Sequence, residues 1–172
     1  MKFLQKCIYC FTVLLIVGCF SKTQNEKNLS NERNIFEPIG NVYFNDLLKK
    51  SAEAKKPLLF YFSYYSCTSC RELEDMITND QKLFSSFQND YIMVPLYTTN
   101  RETLPKKEWF YSNILGREVK TIGDKYFHWE MEKFETNALP LFAIVNEKGE
   151  KVKTLIYTRD LSEFHEFFLT SE

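Results

Sequence analysis

Cys67 and Cys70 lie where the apolar run Leu58–Phe62 gives way to a stretch whose apolar positions, Cys70, Leu73, Met76 and Ile77, follow helical spacing. The run before them is continuous, bulky and aromatic, as expected of a strand buried on both faces. A strand passing straight into a helix with Cys-x-x-Cys at the junction sets the first sulfur beside the unpaired N–H groups of the helix's first turn, where a thiolate is favoured. Cys70, about one turn further on the same face, is within reach of a disulfide. The chemistry that suits this arrangement is thiol–disulfide exchange: a water-accessible Cys67 attacks or is attacked, and Cys70 resolves the mixed disulfide.

Two plainer uses of the motif compete with this one. Half of a zinc site would need two further ligands. No cysteine follows Cys70, and the only histidines, His128 and His165, are far apart, so no metal site is expected; the exchange itself needs no cofactor. The other use is an inert structural disulfide.

The elements that must hold the pair can be read on either side of it. Phe44 to Lys56 sets Phe44, Leu47, Leu48 and Ala52 on one side and lysines on the other, an amphipathic helix that Pro57 ends. Asn41–Tyr43 before it is a short edge strand or an extended lead-in. Within the cysteine helix, Arg71, Glu72, Glu74 and Asp75 read as a solvated face. A second helical piece runs from Asp80 to Gln88, and Tyr91–Tyr97 reads as a strand whose Pro95 marks a strand end or bulge. Thr98 to Ile122 reads as a long irregular connection whose aromatics, Trp109, Phe110 and Tyr111, dock part of it on the body. Gly123–Thr136 reads as a helix with Tyr126 or Phe127, Met131 and Phe134 inward. Leu141–Val145 and Lys151–Tyr157, joined through Gly149, form an antiparallel hairpin. A last helix, capped by Asp160 or Ser162, buries a stripe of Leu161, Phe164, Phe167 and Phe168 and leaves His165 exposed. The pattern is α/β, with a central mixed sheet flanked by helices.

The chain has 172 residues, 44% of them hydrophobic, and a net charge of -1. That supports one globular body and gives no electrostatic footprint for nucleic acid. At the N-terminus, Lys2 and Lys6 precede an apolar stretch from Cys7 to Val17 that is short for a membrane span, and the ending Leu15-Ile16-Val17-Gly18-Cys19 resembles a bacterial lipobox. On that reading residues 1–18 are a lipoprotein signal peptide and Cys19 carries the lipid. Residues 19–34, polar and poor in core formers, are a flexible tether with a reach of roughly 20 Å, and residues 35–172 are the folded domain. An uncleaved signal anchor and a secreted protein cut elsewhere are the alternatives. All of these place the dithiol outside the cytoplasm, where it meets disulfides.

The order of elements, with Cys-x-x-Cys between strand and helix and Leu-Pro before the hairpin, resembles the thioredoxin fold. More closely, K-P-L-L-F-Y-F-S-Y-Y-S-C-T-S-C-R-E-L-E at Lys56–Glu74, L-P-K-K-E-W-F at Leu104–Phe110, K-T-I-G-D-K-Y at Lys120–Tyr126 and T-N-A-L-P-L-F-A-I-V-N-E-K-G at Thr136–Gly149 resemble the C-terminal domain of the DsbD thiol:disulfide interchange proteins and related thioredoxin-family lipoproteins. The resemblance implies that Cys67 is the exposed nucleophile, that Cys70 is the resolving thiol, and that Pro140 is a cis-proline facing them. The backbone of Leu139 would then receive an extended peptide. It also implies a thiol–disulfide oxidoreductase of the protein-disulfide-reductase type, with protein disulfide clients and a membrane thiol reductant as partners. Its place would be the bacterial cell envelope, lipid-anchored to a membrane and facing the periplasm. Relatives often carry an acidic residue six positions before the first cysteine, where this chain has Tyr61, which leaves proton handling to water or another group. The alternative function is a non-catalytic binding lipoprotein that holds a partner in the groove around Tyr64, Tyr65 and Leu139.

Overall fold

The computed structural model describes residues 34–169; the signal peptide, Cys19 and most of the tether lie outside these residues. The element order is α1 (Phe44–Ala54), β1 (Leu58–Ser63), α2 (Thr68–Asn79), α3 (Gln81–Asn89), β2 (Ile92–Tyr97), a short 3-10 turn (Lys106–Glu108), β3 (Phe110–Ser112), β4 (Arg117–Val119), α4 (Ile122–Phe134), β5 (Leu141–Val145), β6 (Lys151–Ile156) and α5 (Leu161–Leu169). The main sheet runs β2-β1-β5-β6. Its β1 and β2 are parallel, while β5 runs antiparallel to both β1 and β6.

Every residue of β1 is buried, because each face of the sheet has its own apolar layer. Leu58, Phe60 and Phe62 point into a core with Leu47 of α1 and Trp129 and Phe134 of α4. Leu59 and Tyr61 point the other way, into a core with Leu73 and Ile77 of α2, Phe87 of α3 and Phe164 of α5. The period of two in a strand thus sorts one uninterrupted apolar run into two cores. β2 is an edge strand within this sheet, which is why it tolerates Pro95. The Pro95 carbonyl accepts a hydrogen bond from Ile39 N–H, and Asn41–Tyr43 is an extended lead-in, not a strand.

Several expectations are revised. Ser51 of α1 is buried and Ala52 exposed, since the Ser51 hydroxyl turns in to donate to the Lys56 carbonyl at 2.6 Å and closes the helix end. The segment 98–122 is ordered rather than irregular. A hairpin of β3 and β4 pairs Phe110 with Val119, Thr103 bridges Thr121, and the Trp109 indole donates to the Leu104 carbonyl. Of its three aromatics only Trp109 is half-buried; Phe110 and Tyr111 are exposed. Gly123, at the start of α4, allows this segment to pass close by: a Cβ there would meet backbone atoms of Thr98 and Asn100 at 2.6 to 2.7 Å. His128 is held by the Ser112 hydroxyl at 2.9 Å, and His165, half-buried rather than exposed, meets Asp80 at 2.7 Å.

The inward face of α4 also holds a group that its apolar pattern does not announce. Glu130 is fully buried, and neither of its carboxylate oxygens has a hydrogen-bond partner. Burial without compensation pushes its carboxyl up from 4.5 to about 8. Below pH 4.5 the group is protonated in both folded and unfolded chains and adds no pH dependence. Between 4.5 and 8 the unfolded chain releases this proton while the folded one keeps it, so stability falls as pH rises, and above 8 the loss levels off. Urea unfolding should therefore show Glu130→Gln gaining on the parent protein across this window by on the order of 5 kcal/mol. A parallel course for the two proteins would refute the assignment.

Candidate functional site

The site forms where β1 ends and α2 begins. Cys67 is the N-cap of α2, with extended backbone, and its sulfur accepts the Cys70 N–H at 3.0 Å. The Ser69 hydroxyl lies 3.4 Å from the same sulfur. One orphan donor of the helix and one hydroxyl thus converge on the atom that carries negative charge when the pair is reduced. Cys67 and Cys70 are joined as a disulfide, with Cα atoms 5.2 Å apart.

The sequence-based expectation of a water-accessible Cys67 is not met in this disulfide form: Cys67 is 1% exposed and Cys70 0%. Cys70 occupies the buried face of α2, and Cys67, bonded to it, packs in the same core as Leu59, Tyr61 and Leu73. The neighbours Ser66 and Thr68 are exposed, so the cysteine lies just under the surface rather than deep within it.

Pro140 follows a cis peptide bond from Leu139. The β1–β5 register pairs Phe62 with Leu141, which brings Pro140 to the end of the sheet from which β1 leaves for Cys67. The Pro140 carbonyl accepts from Tyr157 N–H; Leu139 is half-buried. Tyr65 is exposed, with its ring 4.9 Å from that of Tyr97 and its N–H donated to Thr99. Four of the expected site residues, Cys67, Cys70, Leu139 and Pro140, therefore collect at one end of the sheet with Tyr65 beside them, while Cys19 lies outside the described residues. Among the described residues no cluster of His, Cys, Asp and Glu could hold a metal.

Sequence reasoning missed Glu74, assigned there to a solvated face. It is 7% exposed and sits between α2 and the two parallel strands. Its carboxylate accepts from the Tyr61 hydroxyl at 2.9 Å and from the Arg71 guanidinium at 2.6 Å. The Tyr97 hydroxyl lies 3.4 Å away and also takes a bond from Arg71 at 3.2 Å. Burial, and then the negative charge of Glu74, push the Tyr61 phenol far up, so Tyr61 stays a neutral donor. The position six residues before Cys67, for which the resemblance implied an acid, is thus filled by a tyrosine that donates its hydrogen bond to an acid on the helix. The signal was present in the spacing: Glu74 follows Cys70 by four residues, so it shares that cysteine's face and leans toward it.

Residues 44–162 match the thioredoxin-like domain, and the chain belongs to that family. Among solved structures it is similar to a DsbH oxidoreductase, at 12% identity over 85% of this chain and 99% of that one, with a TM-score of 0.53. It is similar also to a thioredoxin from Thermus thermophilus, at 14% identity over 73% and 81% of the two chains, with a TM-score of 0.50. The oxidised C-terminal domain of DsbD from Neisseria meningitidis matches at 13% identity over 73% and 89%, with a TM-score of 0.46. At such identities the likeness speaks for the fold. Among curated proteins nothing matches the chain.

Two substitutions test the Glu74 cluster. Tyr61→Phe deprives a buried carboxylate of a donor and should cost about 1–3 kcal/mol in urea unfolding. Glu74→Gln removes a negative charge one turn from Cys70 and leaves the Arg71 charge without its carboxylate, which favours the thiolate form. The reduction potential should rise by roughly 10–30 mV against a glutathione buffer; an unchanged or lower potential would contradict this account.

Proposed function

We propose that this chain is a thiol–disulfide oxidoreductase that reduces protein disulfides, with Cys67 as nucleophile and Cys70 as resolving thiol. The observation that carries the reading is the Cys67–Cys70 disulfide at the N-terminus of a helix in a thioredoxin-like fold. In the reduced protein the Cys67 thiolate attacks one sulfur of a client disulfide. The Cys67–client bond forms as the client's S–S bond breaks, and the released client thiolate takes a proton. The Cys70 thiol then gives up its proton and attacks Cys67, re-forming the Cys67–Cys70 bond and expelling the second client thiolate, which is protonated in turn. Two electrons pass from the dithiol to the client, and a separate dithiol reductant must return them. The reducing direction is favoured by the resemblance to DsbD domains and by Glu74, whose charge disfavours accumulation of thiolate.

Because the disulfide is covered, reduction requires the donor to reach Cys67 between Ser66 and Thr68, while Leu139 and Tyr65 flank the approach of an extended client. The lipobox-like ending at Cys19 supports attachment to a membrane on the periplasmic side of a bacterial cell envelope, with a membrane thiol reductant as electron source.

The folded domain should accelerate insulin reduction by dithiothreitol, and Cys67→Ser should lose this activity by at least 10²-fold. Cys70→Ser should accumulate mixed disulfides with clients, visible as thiol-sensitive adducts on non-reducing gels. Absence of both behaviours would leave the binding-protein alternative. Attachment is tested separately: cells fed a radiolabelled fatty acid should label the full chain, and Cys19→Ser should lose the label and its membrane fraction.

A further inference from the structure

The hairpin of β3 and β4 takes no part in the exchange chemistry, yet it carries apolar side chains into solvent. Phe110, Tyr111 and Ile114 lie within five residues and all are exposed, Tyr111 by 62%. Their positions are fixed by the fold. Phe110 rests edge-on against the His128 ring of α4, with centroids 5.0 Å apart, and Tyr111, next along the strand, points to the opposite face. The Ser112 hydroxyl accepts the Leu115 N–H at 3.0 Å, which closes the turn with Ile114 at its tip. An ordered hairpin whose apolar residues face water marks an interaction surface.

Three observations indicate what covers it. The first is charge: between Arg101 and Lys120 five basic side chains stand against three acidic ones, in a chain whose net charge is -1. Glu108 is engaged by the Asn41 amide at 3.0 Å and the Tyr43 hydroxyl at 2.6 Å, and Glu118 by Lys120. The exposed Lys106 and Lys107 therefore give this end of the molecule a positive face. The second is composition. Tyr43, itself exposed, and Trp109, with the Lys120 ammonium 4.9 Å from the centre of its ring, extend the patch with the residue types whose rings favour the headgroup region of a bilayer. The third is the route of the chain. It passes from the tether through Asn41 and Tyr43, which are bonded to Glu108 two residues before Phe110. The roughly 20 Å reach of residues 19–34 is comparable to the radius of gyration of a domain this size, roughly 14 Å. A lipid at Cys19 thus keeps a bilayer within contact distance of the domain.

We propose that the β3–β4 hairpin is a membrane-surface contact, in which Tyr111 and Ile114 seat among the headgroups of an anionic bilayer and Lys106 and Lys107 lie over its phosphates. Among the described residues no helix is long and apolar enough to cross a membrane, and the contact is peripheral. The inference rests on the lipid anchor proposed at Cys19 and adds to it one orientation of the domain on the membrane, in place of free rotation about the tether.

The test uses the full lipidated chain in vesicles, one set of phosphatidylglycerol with phosphatidylethanolamine and another of phosphatidylcholine alone. Ile114→Cys, and Glu147→Cys in the β5–β6 turn as a reference, each carry a nitroxide; the Cys67–Cys70 disulfide leaves that pair unlabelled. In the anionic vesicles the label at position 114 should favour collision with oxygen over a water-soluble nickel chelate several-fold more than in buffer. The gain should be smaller in phosphatidylcholine and absent at position 147. Tyr111→Glu, at an exposed position that leaves the core untouched, should abolish the gain at 114, and Lys106→Glu combined with Lys107→Glu should remove its preference for the anionic vesicles, while Cys19 still takes up fatty acid. If the chain carries its fatty acid and the label at 114 stays as open to the chelate as in buffer, or gains no more than the label at 147, the hairpin contact is overturned and the anchor stands. Shielding of position 114 from oxygen and chelate alike, as between two protein surfaces, overturns the contact as well. A chain that carries no fatty acid overturns the anchor and with it the contact that rests on it.

Discussion

β1 is packed against helices on both faces, and its neighbours in the sheet occupy both of its edges. With no side open to water it cannot slide without repacking both layers, since a shift of one residue exchanges the side chains of the two cores. That rigidity fixes the point at which the chain leaves the sheet, and therefore the place where Cys67 begins α2. The Cys67 sulfur is held by strand register on one side and by the Cys70 N–H of the helix on the other, so its surroundings are set before any partner arrives.

The polar interior has two characters. Glu74, Tyr61, Tyr97 and Arg71 form a satisfied cluster between α2 and the parallel strands, and each partner gives the others a reason to stay. Glu130, on the opposite face, has no partner for either oxygen and remains within the fold by keeping its proton. The first kind of buried acid is paired with Arg71 near the redox pair; the second keeps its proton. Both are carboxylates on helices packed against one sheet, and the supply of donors around each decides which behaviour follows.

Segment 98–122 illustrates how a long connection becomes ordered without an apolar pattern. Trp109 caps the Leu104 carbonyl, and the Lys120 ammonium lies 4.9 Å from the centre of its ring. Lys125, buried in α4, donates to the Asn41 side-chain oxygen Oδ1 at 2.7 Å and packs over the Tyr43 and Trp129 rings. Burial pushes its ammonium down, and nearby Glu108 pulls in the opposite direction. A single lysine so ties the lead-in before α1, the 3-10 turn and α4 together.

The sequence by itself determined the class of fold and the redox pair, because both rest on local signals. A continuous apolar run, a change of period at two cysteines and a glycine-bearing hairpin report their own geometry whatever lies across the core. The cis bond at Pro140 was legible only through family resemblance. Tertiary structure alone decided the depth of Cys67, the capture of Glu74 by Tyr61, the burial of Glu130 and the pairing of Arg159 with Glu72. In each of these the partner lies on another element, or the burying surface belongs to one. The free energy of a polar group depends on the donors and the solvent that packing leaves around it, and residue type and spacing along the chain do not encode that.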